Sequence, residues 1–365
     1  MNTDLLYGLL DVDPQAGPAE LLVKARRSHQ LPYLVLSSLA RENTRMGEPA
    51  RAELHRAEAR ADLYAEVARK LDESTGVRPI RGLSLARYYP SDLLRPQGDL
   101  DLIAPSQSAL WQAVARLITD YPVETIDITV LGDRPRHLAV TLFWPSVDPL
   151  VDPWYRVELC TAALTGDLAA VPVRPVLAAD DHVECLIALA EQALRRPFRV
   201  RDVIDVLVLS ELAFDPAETA AVVAAYRLAP EAARLLDFAA ASVPLGSLAA
   251  VRAELEPEIA PELRRRERTG PERVIVPRQG TLLRRTVTRD TWDEVRVLPF
   301  GQGSGQDSGQ DAGQGSGHGS QQGSGRGELL LTPVADYLLT DGRPVTPEQR
   351  EAALAALRAW DAAAG

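Results

Sequence analysis

Leu94-Arg95-Pro96-Gln97-Gly98-Asp99-Leu100-Asp101-Leu102-Ile103-Ala104-Pro105 places alternating acidic and apolar residues between a glycine and a proline. A short alternating run bounded by turn residues predicts a strand over 99–104. Side chains two apart on a strand share a face, so Asp99 and Asp101 project together while Leu100 and Leu102 enter a core. Beyond Pro105, Ser106 is placed to cap a helix on which Leu110, Val114, Leu117 and Ile118 form one stripe. Upstream, Val77-Arg78-Pro79-Ile80-Arg81-Gly82 reads as a short strand running into a glycine, followed by a helical stretch over 83–89. Downstream, residues 123–131 alternate with Ile126, Ile128 and Val130 on one side. A turn at Asp133-Arg134-Pro135 leads to a second strand over 137–144, and a third extended run covers 154–159. A strand, a helix and then several strands predict an α+β core, a small mixed sheet with helices on it, over 77–175.

Helical regions flank this core. Residues 1–76 carry apolar positions at helical spacing, among them Leu36, Leu39, Leu63, Val67 and Leu71, with Gly47-Glu48-Pro49 as a turn. Glu66 with Lys70, and Glu53 with Arg56, are opposite-charge pairs suited to a solvated helix face. A second helical region, 176–265, shows a stripe of Val183, Leu186, Ile187, Ala190 and Leu194, then Val203 and Leu207, with further helices over 217–226 and 231–242. Residues 266–300 are rich in β-branched side chains, broken by Gly280, and predict a small C-terminal β extension. Residues 301–327 are almost wholly Gly, Gln, Ser and Asp, a composition expected of a flexible linker, in which the lone His318 is solvated. The segment 328–365 ends in a helix opened by Thr346-Pro347-Glu348-Gln349, a capping-box pattern with proline at the first helical position.

At 365 residues the chain has room for about two or three structural units. Its net charge of −11 argues against a general grip on nucleic-acid backbone, which needs clustered Lys and Arg. Cys160 and Cys185 are too few for a disulfide framework or a cysteine-rich zinc site, and suit a reducing, cytoplasmic setting. The N-terminus carries no basic leader, and no run approaches the roughly 18 apolar residues of a membrane span. No Ser-His-Asp arrangement or Walker-type phosphate loop can be assembled.

Two acids on one strand face can share divalent metal, and transfer of a phosphoryl or nucleotidyl group needs cations where charge builds on phosphorus-bound oxygens. Asp-x-Asp is equally a common pair solvated at a sheet edge. Its surroundings give it weight. Arg81-Gly82-Leu83-Ser84-Leu85-Ala86-Arg87-Tyr88-Tyr89-Pro90 lies upstream, and a glycine opening a helix leaves free N–H groups for a phosphate. Together with Arg95 and the acids, this run resembles the bacterial nucleotidyltransferases of the polymerase-beta-like superfamily. The resemblance covers about residues 20–210, with Val157-Glu158-Leu159 and Arg201-Asp202-Val203-Ile204-Asp205-Val206-Leu207 in matching order.

That resemblance implies a nucleotidyltransferase fold and Mg2+ or Mn2+ bound by Asp99, Asp101 and Glu158. It further implies transfer of a nucleoside monophosphate from an NTP, ATP foremost, to a hydroxyl-type acceptor on a small molecule or protein. Glu158 would also orient or deprotonate the acceptor hydroxyl, while Gly82, Ser84 and Arg95 would contact the nucleotide. Two positions depart from the family pattern: Arg81 stands where Lys is common, and Cys160 where His follows the third acid. The family's glycine–serine pair is spread out as Gly82-Leu83-Ser84. These departures motivate the alternative of a catalytically inactive scaffold of the same fold that binds a partner protein. Arg95 has two readings, a bidentate phosphate clamp or a partner for an acid that fixes the loop. Asp127 competes with Glu158 as third acid, Asp205 needs a partner such as Arg199 or Arg201 if buried, and His182 and Glu184 read as surface or cap residues.

Overall fold

The computed structural model describes residues 2–27, 31–132, 136–269, 275–285, 295–301 and 327–364. The expected turn at Asp133-Arg134-Pro135 and the glycine-rich stretch 302–326 with His318 lie outside them. Four helices open the chain: α1 (Thr3–Leu9), α2 (Gly17–Ala25), α3 (Leu31–Arg41) and α4 (Glu48–Thr75). Pro49 sits in the first turn of α4, and Gly76 ends it in the left-handed region at φ 69°, a conformation that costs glycine no Cβ clash. Glu66 pairs with Lys70 on α4 as expected, whereas Glu53 turns to Arg26 of the neighbouring helical segment.

The core follows as β1 (Arg78–Pro79), α5 (Gly82–Ala86), β2 (Leu100–Ile103), α6 (Gln107–Asp120), β3 (Thr125–Leu131), β4 (His137–Pro145) and β5 (Trp154–Cys160). Ser106 caps α6, its Oγ accepting from the Ala109 N–H at 3.1 Å. Five helices come next: α7 (Asp181–Glu191), α8 (Val200–Ser210), α9 (Pro216–Ala225), α10 (Ala229–Ala240) and α11 (Leu248–Thr269). The chain then returns to the sheet with β6 (Arg278–Arg285), β7 (Arg296–Phe300), β8 (Gly327–Leu331) and β9 (Ala335–Thr340), and closes on α12 (Pro347–Ala364). Thr346 and Gln349 form the expected capping box, each side chain accepting from the other's backbone N–H at 3.2 and 3.0 Å.

The small sheet expected from 77–175 is one part of a larger sheet that, among the described residues, has nine strands in the order β1-β2-β5-β4-β3-β6-β9-β8-β7. Only β2 and β5 run parallel; every other neighbouring pair is antiparallel. The C-terminal strands are therefore no separate extension, since β6 pairs with the free edge of β3 through Ile128 and Gly280. A Cβ on Gly280 would stand 2.4 Å from Ile128 Cγ2, so glycine is what allows this junction to close. Strands β8 and β9 were not expected from the sequence. They are nearly continuous apolar runs buried between Leu330 and Tyr337 on one side and Leu329 and Leu338 on the other, which removes the alternation that marks a half-exposed strand.

One face of the sheet, through Leu100, Leu102, Val157, Leu159, Val140 and Leu142, packs on α4 and α6. The opposite face meets the α7–α11 bundle through Ile103 and Cys160. Among the described residues no helix is long and apolar enough to cross a membrane.

Candidate functional site

Register decides which acids meet. Asp101 on β2 lies directly opposite Glu158 on β5, Glu158 opposite Thr141 on β4, and Thr141 opposite Asp127 on β3. Direct partners share a sheet face, so these four side chains form a row on the face turned toward the helical bundle, with Asp99 two residues before Asp101. A cleft of about 640 Å³ opens over one end of that row and is lined by Asp99, Asp101 and Glu158. Asp127 is exposed and does not line it. The structure thus brings Asp99, Asp101 and Glu158 together and leaves Asp127 out.

Helix α4 fixes the approach to the acids. Arg60 donates to the Gly98 carbonyl at 3.2 Å and to the Trp154 carbonyl at 3.0 Å, and Tyr64 Oη donates to the Gly98 carbonyl at 3.1 Å. Arg60 also pairs with Asp152. One buried arginine therefore ties the turn before β2 to the start of β5, and so sets Asp99 and Glu158 at a common height.

Arg95 resolves to the second of its two readings. Its Nε and Nη2 donate to Asp205 Oδ1 and Oδ2, each at 2.8 Å, while Tyr89 Oη donates to Oδ1 at 2.7 Å and Arg95 Nη1 to the Gly82 carbonyl at 3.2 Å. Asp205 is fully buried, and its partner is Arg95 rather than Arg199 or Arg201. This bidentate pair locks the loop carrying Gly82 and Gln97 to α8; although Arg95 borders the cleft, its fork is engaged. Gly82 lines the cleft, and a Cβ there would sit 3.4 Å from Arg95 Nη1. Ser84 is not brought to the cleft: it is buried, and its hydroxyl donates to the Pro79 carbonyl at 2.7 Å.

The electrostatics centre on Arg81. Its backbone lies at φ 56°, ψ −111°, a sparsely populated region for a residue with a side chain. Its Nη1 stands 3.4 Å from Asp101 Oδ2 and 3.9 Å from Glu158 Oε1, and its Nη2 is 3.6 Å from Glu191 Oε2. Burial works against the guanidinium charge, but Asp101, Glu191 and Glu158 outweigh it and hold the pKa above the ordinary arginine value. Arg156 reaches Asp99 at 3.2 Å and Glu158 at 3.1 Å. Burial, and then the charges of Asp101 and Glu158, raise the Asp99 carboxyl despite Arg156. Cys160, at the position where the family pattern has His, is buried; burial and Glu158 push its thiol well up, and it donates to the Leu102 carbonyl at 3.4 Å.

Three functional candidates escaped the sequence reading. Glu191, at the end of α7, is fully buried; its Oε1 accepts from the Thr165 and Gly166 N–H groups at 2.8 and 2.9 Å. Arg156 gave no signal beyond its two-residue spacing from Glu158. Arg201 was considered only as a partner for Asp205. It lines the cleft, and it alone of the seven arginines there has no carboxylate ion pair among the described residues. Glu184, expected at the surface, is instead buried with both carboxylate oxygens unpartnered, and His182 packs edge-on against Phe214 at 4.7 Å.

Asp99, Asp101 and Glu158 form an all-oxygen donor set, the chemistry that suits a hard divalent cation. As they stand, Arg81 and Arg156 share them, and among the described residues no group of three or more His, Cys, Asp or Glu side chains is disposed to hold a metal ion. No family model, curated protein or solved structure matches this chain.

Proposed function

We propose that this chain is a cytoplasmic Mg2+-dependent nucleotidyltransferase of the nucleotidyltransferase fold, moving a nucleoside monophosphate from ATP to a hydroxyl on a small molecule or protein. The observation that carries this reading is the charge of the cleft. In a chain of net charge −11, seven arginines line it against five carboxylates among the described residues, and among these residues Arg201 has no carboxylate ion pair. A buried or half-buried guanidinium without an acid favours an anionic ligand, and a triphosphate beside paired acids is the ligand that uses both signs.

Asp99, Asp101 and Glu158 are the residues that would hold Mg2+, which when bound neutralises charge on the phosphate oxygens. Arg201 would offer donors to the phosphates, and Gly82 at the start of α5 lines the same cleft. In the transfer the acceptor oxygen forms a bond to the α-phosphorus, the bond from that phosphorus to the bridging oxygen breaks, and pyrophosphate leaves. Glu158 takes the hydroxyl proton. Trp154, 41% exposed at the rim, offers a flat apolar surface for a base or an acceptor.

Calorimetry with Mg-ATP tests the reading. The parent protein should bind Mg-ATP, Asp99→Ala with Asp101→Ala should abolish metal-dependent turnover of labelled ATP, and Arg201→Ala should weaken ATP binding about tenfold, as loss of one charged hydrogen-bond donor does, without lowering the melting midpoint. Nucleotide turnover by the double variant equal to the parent's would sink the assignment. The engagement of all three acids by Arg81 and Arg156 favours a second reading, an inactive scaffold for a partner protein. Absence of any Mg-dependent nucleotide binding is the outcome that selects it.

A further inference from the structure

Arg81 is placed unlike any other arginine of the cleft. Arg95 and Arg196 each grip one aspartate through two short bonds of 2.7 to 2.8 Å. The Arg81 guanidinium instead lies among three carboxylates from three elements, at 3.4 Å from Asp101, 3.6 Å from Glu191 and 3.9 Å from Glu158, with its Nε lacking any hydrogen-bond partner. Among the described residues its hydrogen bond to these carboxylates is one long contact, Nη1 to Asp101 Oδ2. Its backbone is held in a strained region to put it there. Glu191 is asymmetric in a complementary way: Oε1 is fixed by two backbone N–H groups and by Arg195 at 3.3 Å, while Oε2, wholly buried, has no hydrogen bond among the described residues and faces Arg81. An unmet buried carboxylate oxygen is costly, and it stands beside a guanidinium that could meet it by moving about one ångström.

We propose that Arg81 is the resident counter-cation of Asp101, sharing Glu158 with Arg156, and that Glu191 Oε2 is the seat it moves onto when a divalent cation binds those two acids. The inference rests on the reading of Asp101 and Glu158 as metal-binding carboxylates. Without a metal, Arg81 balances the sheet acids from an intermediate position. With one bound, Asp101 and Glu158 turn to it, and like charge drives the guanidinium toward Glu191, where it completes the bond that Oε2 lacks. Arg81 and Glu191 thus act as positioning residues that set the metal affinity of the site, in opposite directions. Removing Arg81 takes away the competitor, whereas neutralising Glu191 takes away its alternative seat.

The test is Mn2+ binding without nucleotide, read from the free-ion paramagnetic signal, on the full chain and its variants. Arg81→Gln should bind Mn2+ about tenfold more tightly than the parent, and Glu191→Gln, which keeps the Oε1 acceptor, about tenfold more weakly, within the usual range of coupling between two sites. Should Arg81→Gln fail to fold, Arg81→Gly suits the backbone there and removes the same cation. Equal or weaker binding in the Arg81 variant, or unchanged or tighter binding in Glu191→Gln, overturns the proposal. If the parent binds Mn2+ with ATP present while the variants merely track it, only this inference fails. Uptake by no protein, with or without ATP, overturns this inference and the nucleotidyltransferase reading together.

Discussion

Glu184 is buried on α7 with neither carboxylate oxygen hydrogen-bonded, and burial lifts its pKa from the ordinary 4.5 to about 7. The unfolded chain ionises this group near its ordinary value, so between about 4.5 and 7 the folded state holds the extra proton. Stability therefore falls as pH rises through that window, and the penalty is complete above it. Glu184→Gln should leave stability near pH 4 unchanged and raise it by on the order of 2 kcal/mol at pH 8, measured by urea denaturation at both values; a variant less stable at pH 8 would show that the ionised form has a partner. At this scale Asp101 was legible, because a period of two turns it away from Leu100 and Leu102; Asp99, expected on the same strand, lies in the bend before β2 and meets Asp101 at the cleft instead. Their charge partners were not. Arg199 and Arg201 are the near neighbours of Asp205 in sequence, yet the loop at 94–98 delivers Arg95 from across the molecule, and α7 delivers Glu191 beneath Arg81. Ion pairs are fixed by which elements pack together, and local spacing carries little of that information.

Among the elements, the junction of β3 with β6 is the most demanding. Gly280 faces Ile128 and Tyr337, and a Cβ would fall within 3.0 Å of the tyrosine side chain as well as 2.4 Å from Ile128. Gly280→Val should cost about 1–3 kcal/mol by overpacking, seen as a lower thermal midpoint, and the loss should be larger than for Gly8→Ala on α1, where a Cβ meets nothing within 4 Å. An unchanged midpoint in Gly280→Val would mean that the two strands are not in this register. Helices were readable from their stripes and caps, and Ser106 and Thr346 both cap as the sequence predicts. Strands β3 and β4 were readable because one side faces solvent. The pairing of β6 to β3 was hidden for the reason that made Gly280 look like an interruption: a missing side chain reads as a break in a strand and serves here as close contact between two.

Across the whole molecule, the sheet joins residues far apart in the chain, with β3 enclosed between β4 and β6. A chain ending at residue 269 would keep Asp99, Asp101, Glu158 and Arg201 but leave the β3 edge unpaired. It would also lose Val295, Leu330, Ala335, Tyr337 and Leu339 from the principal core. Exposed strand edges recruit other strands, so this truncation should sediment as aggregates under conditions in which the full chain does not; a well-behaved monomer would show that 1–269 folds alone. The α+β class could be read from the sequence, while the size of the sheet could not, because strand order depends on pairings that leave no local trace. The pairing of Phe300 with Gly327 carries a practical consequence. It holds residues 300 and 327 side by side, and for a flexible chain joining two neighbouring points each doubling of length costs only about 0.6 kcal/mol. A reporter domain whose own termini lie close together could be spliced between Phe300 and Gly327, away from the strands that carry Asp101 and Glu158.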